Sequence, residues 1–252
     1  MGDGSGRDGR DDGPAYYATG AHTRWRDVRA ILHPPYTAWH LSYVVIGSVI
    51  GPRINWNILA ATVVAFFLAV GVAAHALDEL SGRPLDTHLP RPLLLAAAIA
   101  GLGGAALIGL AGLERLGPWL GLFIVVGVAL VLAYNLELFG GFVHNDVGFA
   151  LAWGAFPVLT AVFAQQRALP PSSWALALAA ALLAAAQRSL STPVRRLRRH
   201  AISVQGQLVL DSGDFVPIDR VHLLLPLEHA LRFLSWAMVS LALALVLARL
   251  AH

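Results

Sequence analysis

His75-Ala76-Leu77-Asp78-Glu79-Leu80-Ser81-Gly82-Arg83-Pro84-Leu85-Asp86-Thr87 stands where a long apolar run ends. Between 58 and 74 that run offers Thr62 as its polar side chain, and then a histidine, an aspartate and a glutamate arrive within five positions. At about 100° per residue, positions i, i+3 and i+4 share one helix face. His75, Asp78 and Glu79 are therefore expected to point the same way from the end of a buried helix. Gly82 and Pro84 stop that helix. Ionisable groups at the edge of a bilayer are costly and face a cavity or a partner. The stretch reads as half of a site for a metal cation or a diphosphate at a membrane surface.

Composition places this stretch in an integral membrane protein. The chain has 252 residues, 57% hydrophobic and 13% charged, where a soluble domain carries about 25% charged residues. Cysteine is absent, which excludes disulfides and thiolate metal sites. Every basic side chain other than histidine is arginine, so lysine Schiff-base chemistry is excluded too. The sequence pI near 9.8 reports arginines gathered on one membrane face rather than a nucleic-acid partner. No signal peptide is expected, because the first apolar run begins near Thr37.

Apolar runs of roughly 17–25 residues mark crossing helices. About seven are expected, at 36–50, 54–80, 91–113, 118–138, 147–165, 173–190 and 223–247. Breaks fall at Gly51-Pro52, Gly82-Arg83-Pro84, Gly117-Pro118, Gly140-Gly141, Pro170-Pro171 and Thr192-Pro193. Residues 1–22 are Gly/Asp/Arg-rich and are expected to be disordered, leaving 23–252 as a single helical domain. Trp25 and its neighbouring arginines read as a short interfacial segment. Residues 203–219 alternate apolar and polar around Asp211-Ser212-Gly213-Asp214, the pattern of a hairpin or small cap.

Arginine bias sets the expected orientation. With the N-terminus cytoplasmic in the cell membrane, Arg53, Arg115, Arg167 and Arg249 fall outside, and the other loop arginines fall inside. The inner side then holds the 75–87 stretch, the 134–146 stretch and the 187–219 stretch, where the unusual polar residues collect.

Three places resemble the UbiA superfamily of intramembrane prenyltransferases. One is Ala65-Phe66-Phe67-Leu68 through His75-Ala76-Leu77-Asp78-Glu79 and Gly82-Arg83-Pro84-Leu85, which is similar to that family's first aspartate-rich motif and the turn after it. The second is Tyr134-Asn135-Leu136-Glu137-Leu138 with the stretch from Gly148 to Val158. The third is His33-Pro34-Pro35-Tyr36-Thr37-Ala38-Trp39. The resemblance covers roughly residues 30–200 and implies an all-helical bundle around a cavity open to lipid. It also implies Mg²⁺ as cofactor, a prenyl diphosphate and a lipophilic acceptor as partners, and either prenyl transfer or terpene cyclisation. The chain departs from the motifs in that His75 stands at the first aspartate position. Gln187-Arg188-Ser189-Leu190-Ser191 stands where a second aspartate-rich motif is expected.

On this reading Asp78 and Glu79 hold the metal, and His75 and Asp78 are the catalytic candidates. Arg83 and Arg188 fork onto phosphates, with Arg91 and Arg195 as further candidates, and Tyr134 and Gln187 stand beside the substrate. Ordinary readings stand beside these. Arg195 to Arg199 are a positive-inside signal, and Gln187 and Ser191 are packing groups. His144-Asn145-Asp146 starts a helix with a cap, and Glu228 pairs with Arg232 one turn on. Two alternative functions follow: a non-catalytic isoprenoid-lipid-binding relative, and a different metal-dependent membrane enzyme using His75, Asp78 and Glu79 with zinc or iron.

Overall fold

The computed structural model describes residues 13–20 and 23–251. The chain is almost entirely α-helical. A short α1 (Arg24–Leu32) leads into α2 (Pro34–Val49). Six long helices follow: α3 (Trp56–Gly82), α4 (Arg91–Leu116), α5 (Trp119–Asn135), α6 (Asp146–Gln166), α7 (Pro171–Arg199) and α8 (Arg220–Leu250). A hairpin of β1 (Gly206–Val209) and β2 (Phe215–Ile218) joins α7 to α8, with Leu208 opposite Val216. From α2 onward the helices alternate in direction, so every break lies at one of two ends of the bundle.

Five of these helices are long and apolar enough to cross a membrane: α3, α4, α6, α7 and α8. The seven expected apolar segments are all helical, but α5 is a shorter apolar helix of 17 residues and α2 has 16. Local chemistry explains the boundaries. Asn55, Asn145 and Asp219 accept hydrogen bonds from the backbone N–H groups of Ile58, Gly148 and His222, capping α3, α6 and α8. His33 at φ 44° ends α1, and Pro34 opens α2. Arg83 at φ 49° ends α3 in a left-handed cap.

Helices α2 and α6 form the centre. Of the apolar window of α6, 56% is buried, against 17% for α4, so α6 is a core helix and α4 faces outward. α2 packs on α6 and α8, α6 packs on α7, and α3 with α4 and α5 closes the other side. Glycines permit two of the closest crossings. A Cβ on Gly47 would lie 2.8 Å from the Val158 carbonyl oxygen, and one on Gly154 would lie 2.5 Å from that of Ala180.

α3 and α6 each carry a π-helical stretch, Phe67–Ala74 and Leu151–Ala155. Such widened turns are frequent at functional sites. In α6 one cause is visible. Pro157 has no N–H for the Trp153 carbonyl four residues earlier, and His40 Nδ1 donates to that oxygen at 2.9 Å.

Residues 13–20, which composition assigned to the disordered tail, pack on the bundle. Ala15, Tyr17 and Ala18 are buried. The rest of the expected tail, 1–12 with 21 and 22, lies outside the described residues.

Packing at the α6–α7 crossing yields a test. Gly154→Val should overpack that crossing and cost about 1–3 kcal/mol, read as a lowered thermal midpoint in detergent. Gly103→Ala, whose added methyl meets nothing within 4 Å, should hold or raise the midpoint.

Candidate functional site

Two features of opposite polarity meet inside the bundle. The first is an apolar cavity of about 600 Å³, half open to the outside, lined by α3, α4, α5 and α6. Its walls are largely small or aliphatic, including Ala61, Ala65, Ala105, Gly109 and Gly112. At one end it reaches Val70, Val131, Ala152 and Trp153, where the two π stretches face each other. At the other end its rim is polar: Asn55, Asn57, Glu114 and Arg115.

The second feature is a polar cluster at the end of the bundle that holds His75. Trp153 joins it to the cavity. The Trp153 ring stands edge-on to Tyr134, with centroids 5.6 Å apart. The Tyr134 hydroxyl accepts a hydrogen bond from Arg188, and Arg188 also pairs with Asp146 and lies 5.1 Å over the Phe149 ring. Cavity wall, tyrosine and guanidinium thus follow one another in direct contact.

Asp78 lies in the same cluster. His144, Arg195 and Arg199 act on it electrostatically, as does Glu79, and it also acts on Tyr134. Among the described residues Asp78 has no hydrogen-bond or ion-pair partner. Arg195 acts on both Asp78 and Tyr134. His144 stacks on Tyr134 at 4.5 Å, and its Nδ1 donates to the Tyr134 carbonyl at 2.9 Å. Arg188, Arg195 and Arg199 sit at i, i+7 and i+11 on α7, one face of one helix. That spacing was the available signal for Arg199, and the positive-inside reading obscured it.

Glu79 points elsewhere. It is fully buried, and its carboxylate accepts from Leu85 N (3.0 Å), Thr87 N (2.9 Å) and Thr87 Oγ1 (2.7 Å). It binds the turn that follows α3. Arg83 likewise serves its own loop, donating to the carbonyls of Thr87 at 2.7 Å and Leu89 at 3.1 Å. His75 stacks on His33 with centroids 4.1 Å apart, and its Nδ1 donates to the Gly71 carbonyl at 3.2 Å. Gln187 is buried one residue before Arg188, and its Oε1 has no hydrogen-bond partner among the described residues. Of the expected site residues, Asp78, Tyr134 and Arg188 come together. Glu79 and Arg83 are engaged by the 83–89 turn, and His75 by His33.

Other expectations resolve as follows. Glu228 pairs with Arg198 in a buried, two-pronged bond, while Arg232 lies over the Tyr16 ring at 4.6 Å. The expected Glu228–Arg232 pair gives way because Arg198 reaches Glu228 from α7. Asp211 and Asp214 lie in the exposed hairpin turn. Among the described residues, no three His, Asp or Glu side chains gather into a group able to hold a metal ion.

A strap of residues 13–20 covers this end. Tyr17 donates its hydroxyl proton to His33 Nδ1 at 2.8 Å. The carbonyls of Gly13 and Pro14 accept from Arg198 and Arg199. Burial, then repulsion from His75 and from the Arg199 and Arg195 charges, holds the His33 imidazole well below its usual 6.5.

Known protein families, characterised proteins and solved structures contain no match to this chain.

Two outcomes test this geometry. Glu79→Ala should leave three buried donors unpaired and destabilise the protein by roughly 3 kcal/mol, read as a lower thermal midpoint without added metal. An unchanged midpoint would show that the carboxylate does not hold the turn. For His33 the folded protein keeps the neutral form, so the unfolded chain binds more protons below pH 6.5. The stability His33 contributes is complete above that pH and declines as pH falls below it. Proteolysis of the strap should therefore quicken below pH 6.5, and His33→Gln should flatten that dependence.

Proposed function

We propose that this chain is an integral membrane protein that binds an isoprenoid diphosphate and transfers its prenyl group to a lipophilic acceptor, in the manner of UbiA-like prenyltransferases. The observation that supports it is the contact chain from the apolar cavity through Trp153 and Tyr134 to Arg188. An amphiphile with a long apolar tail and a multiply charged anionic head matches that polarity. On this reading α2 and α5 cross the bilayer with the five long helices, and the arginine-rich end is cytoplasmic.

Arg188, Arg195 and Arg199 receive the diphosphate, with charge-assisted bonds that strengthen in a water-poor site. The C–O bond between the prenyl C1 and the diphosphate breaks, and its electron pair leaves with the phosphate oxygen. The faces of Tyr134 and Trp153 stabilise the allylic cation. Attack by the acceptor forms the new bond and releases a proton. The unpartnered Gln187 Oε1 is a buried group able to accept from an acceptor hydroxyl.

Mg²⁺ is bound by one or two carboxylates together with substrate phosphates and water. Asp78 fits as that single carboxylate, because it lacks a partner among the described residues. Glu79 does not, because both of its oxygens are occupied. When bound, such an ion would add positive charge at the departing phosphate.

One observation favours a second reading, a non-catalytic isoprenoid-lipid-binding relative. With Glu79 engaged by its turn and Asp146 paired with Arg188, Asp78 is the carboxylate left to a metal among the described residues of the cluster, where catalysis by a metal pair needs more.

The test is incubation of the purified protein with Mg²⁺ and prenyl diphosphates, following diphosphate release. Asp78→Asn and Arg188→Gln should each lower release by about 10²-fold. Binding without release supports the second reading. No binding of any prenyl diphosphate overturns both.

A further inference from the structure

We infer that the apolar cavity measures its ligand and that its preferred occupant is a prenyl chain of about four isoprene units. The inference rests on the reading that the ligand is a prenyl diphosphate, and it adds the chain length.

The cavity has a defined beginning and end. It begins at Val70, Val131 and Trp153, one contact from Tyr134, where the charged head would stop. It ends at Asn55, Asn57, Glu114 and Arg115, where a hydrocarbon would meet amide and charged groups. α3 runs beside it for the whole distance. From Val70 to Asn55, at about 1.5 Å per residue, the length is about 22 Å. An isoprene unit adds four C–C bonds of about 1.5 Å each along the chain, or about 5 Å when extended. Four units therefore fill the cavity, and a fifth would reach the polar rim.

The walls suit such a chain. Ala61, Ala65 and Ala69 repeat at i, i+4 and i+8 on α3, opposite Ala105, Gly109 and Gly112 of α4. Small residues on both sides leave room between the two helices for a branched chain. About 600 Å³ lies within the roughly 300–1,000 Å³ range of ligand pockets.

The wall positions act as marks along the length. Ala65 is five residues from Val70, about 7 Å, or one to two units. Ala61 is nine residues away, about 13 Å, or two to three units. A phenylalanine at either position should cut the slot at that depth.

The experiment measures binding, not turnover. Non-hydrolysable prenyl thiodiphosphates of two, three, four and five units are titrated against the full-length protein in nanodiscs. In the wild type, each unit up to four should tighten binding by about tenfold or more, and the fifth should add little. Ala61→Phe should weaken the four-unit ligand at least about tenfold while leaving the two-unit ligand unchanged. Ala65→Phe, nearer the start of the slot, should weaken the two- and three-unit ligands as well. Retained two-unit binding shows that Ala61→Phe is folded, and an unchanged thermal midpoint shows it for Ala65→Phe. Affinity independent of chain length would overturn the inference, as would equal weakening of all lengths by Ala61→Phe. A co-purifying phospholipid that none of the ligands displaces would overturn it as well. No binding of any length by the wild type would instead overturn the parent reading.

Discussion

Arg188 is held from three sides, and the interior is arranged around how it is held. The Tyr134 hydroxyl takes one N–H, the Asp146 carboxylate takes another, and the Phe149 ring covers the guanidinium. The three partners come from α5 and α6, so one side chain of α7 ties three helices together. A charge between apolar helices is tolerated when it is paired and hydrogen-bonded. The same bonds fix the Tyr134 ring against Trp153, and Trp153 is a wall of the apolar cavity. The polar cluster and the apolar cavity are thereby set in one register.

The backbone around this point is deformed in a consistent way. The π-helical stretches of α3 and α6 bring Val70 and Trp153 to the same end of the cavity. Pro157 leaves the Trp153 carbonyl without its helical donor, and His40 from the central helix α2 supplies one. This polar bond, deep in an apolar bundle, holds the indole in place. Gly154, beside it, lets α7 approach closely enough for Arg188 to reach across. The sequence Trp153-Gly154-Ala155-Phe156-Pro157 thus combines an aromatic wall, a close crossing and a freed carbonyl within five residues.

Much of this was legible in the residues. Apolar runs and Gly/Pro breaks located the helices, and alternation around Asp211 to Asp214 located the hairpin. Two of the apolar segments form helices shorter than a full span, because α2 is confined between the left-handed His33 and the Gly51-Pro52 break, and the left-handed Glu137 and Phe139 stop α5 early. The order of the helices placed Asp78, Tyr134 and Arg188 at the same end of the bundle, but helical spacing could not separate Asp78 from Glu79. Their fates differ because the turn at Leu85 and Thr87 folds back and donates three hydrogen bonds to Glu79, a tertiary event no periodicity encodes. Arg83 is engaged in the same way, since its left-handed cap turns it onto the carbonyls of its own loop. The 13–20 segment looked like tail by composition, yet Tyr17 finds His33 and its backbone carbonyls find guanidinium donors. Burial of such a segment depends on partners far along the chain, and composition carries no information about them.

The central claim is that one amphiphile spans both features, its charged end at Arg188 and its hydrocarbon between α3, α4, α5 and α6. The most direct measurement is an experimental structure of the protein in nanodiscs with farnesyl thiodiphosphate and Mg²⁺. The account predicts phosphate density beside Arg188 and Asp78, continuous past Trp153 with a tail running toward Ala61. Tail density outside the bundle, or a head bound at the Asn55 and Arg115 rim, would contradict it.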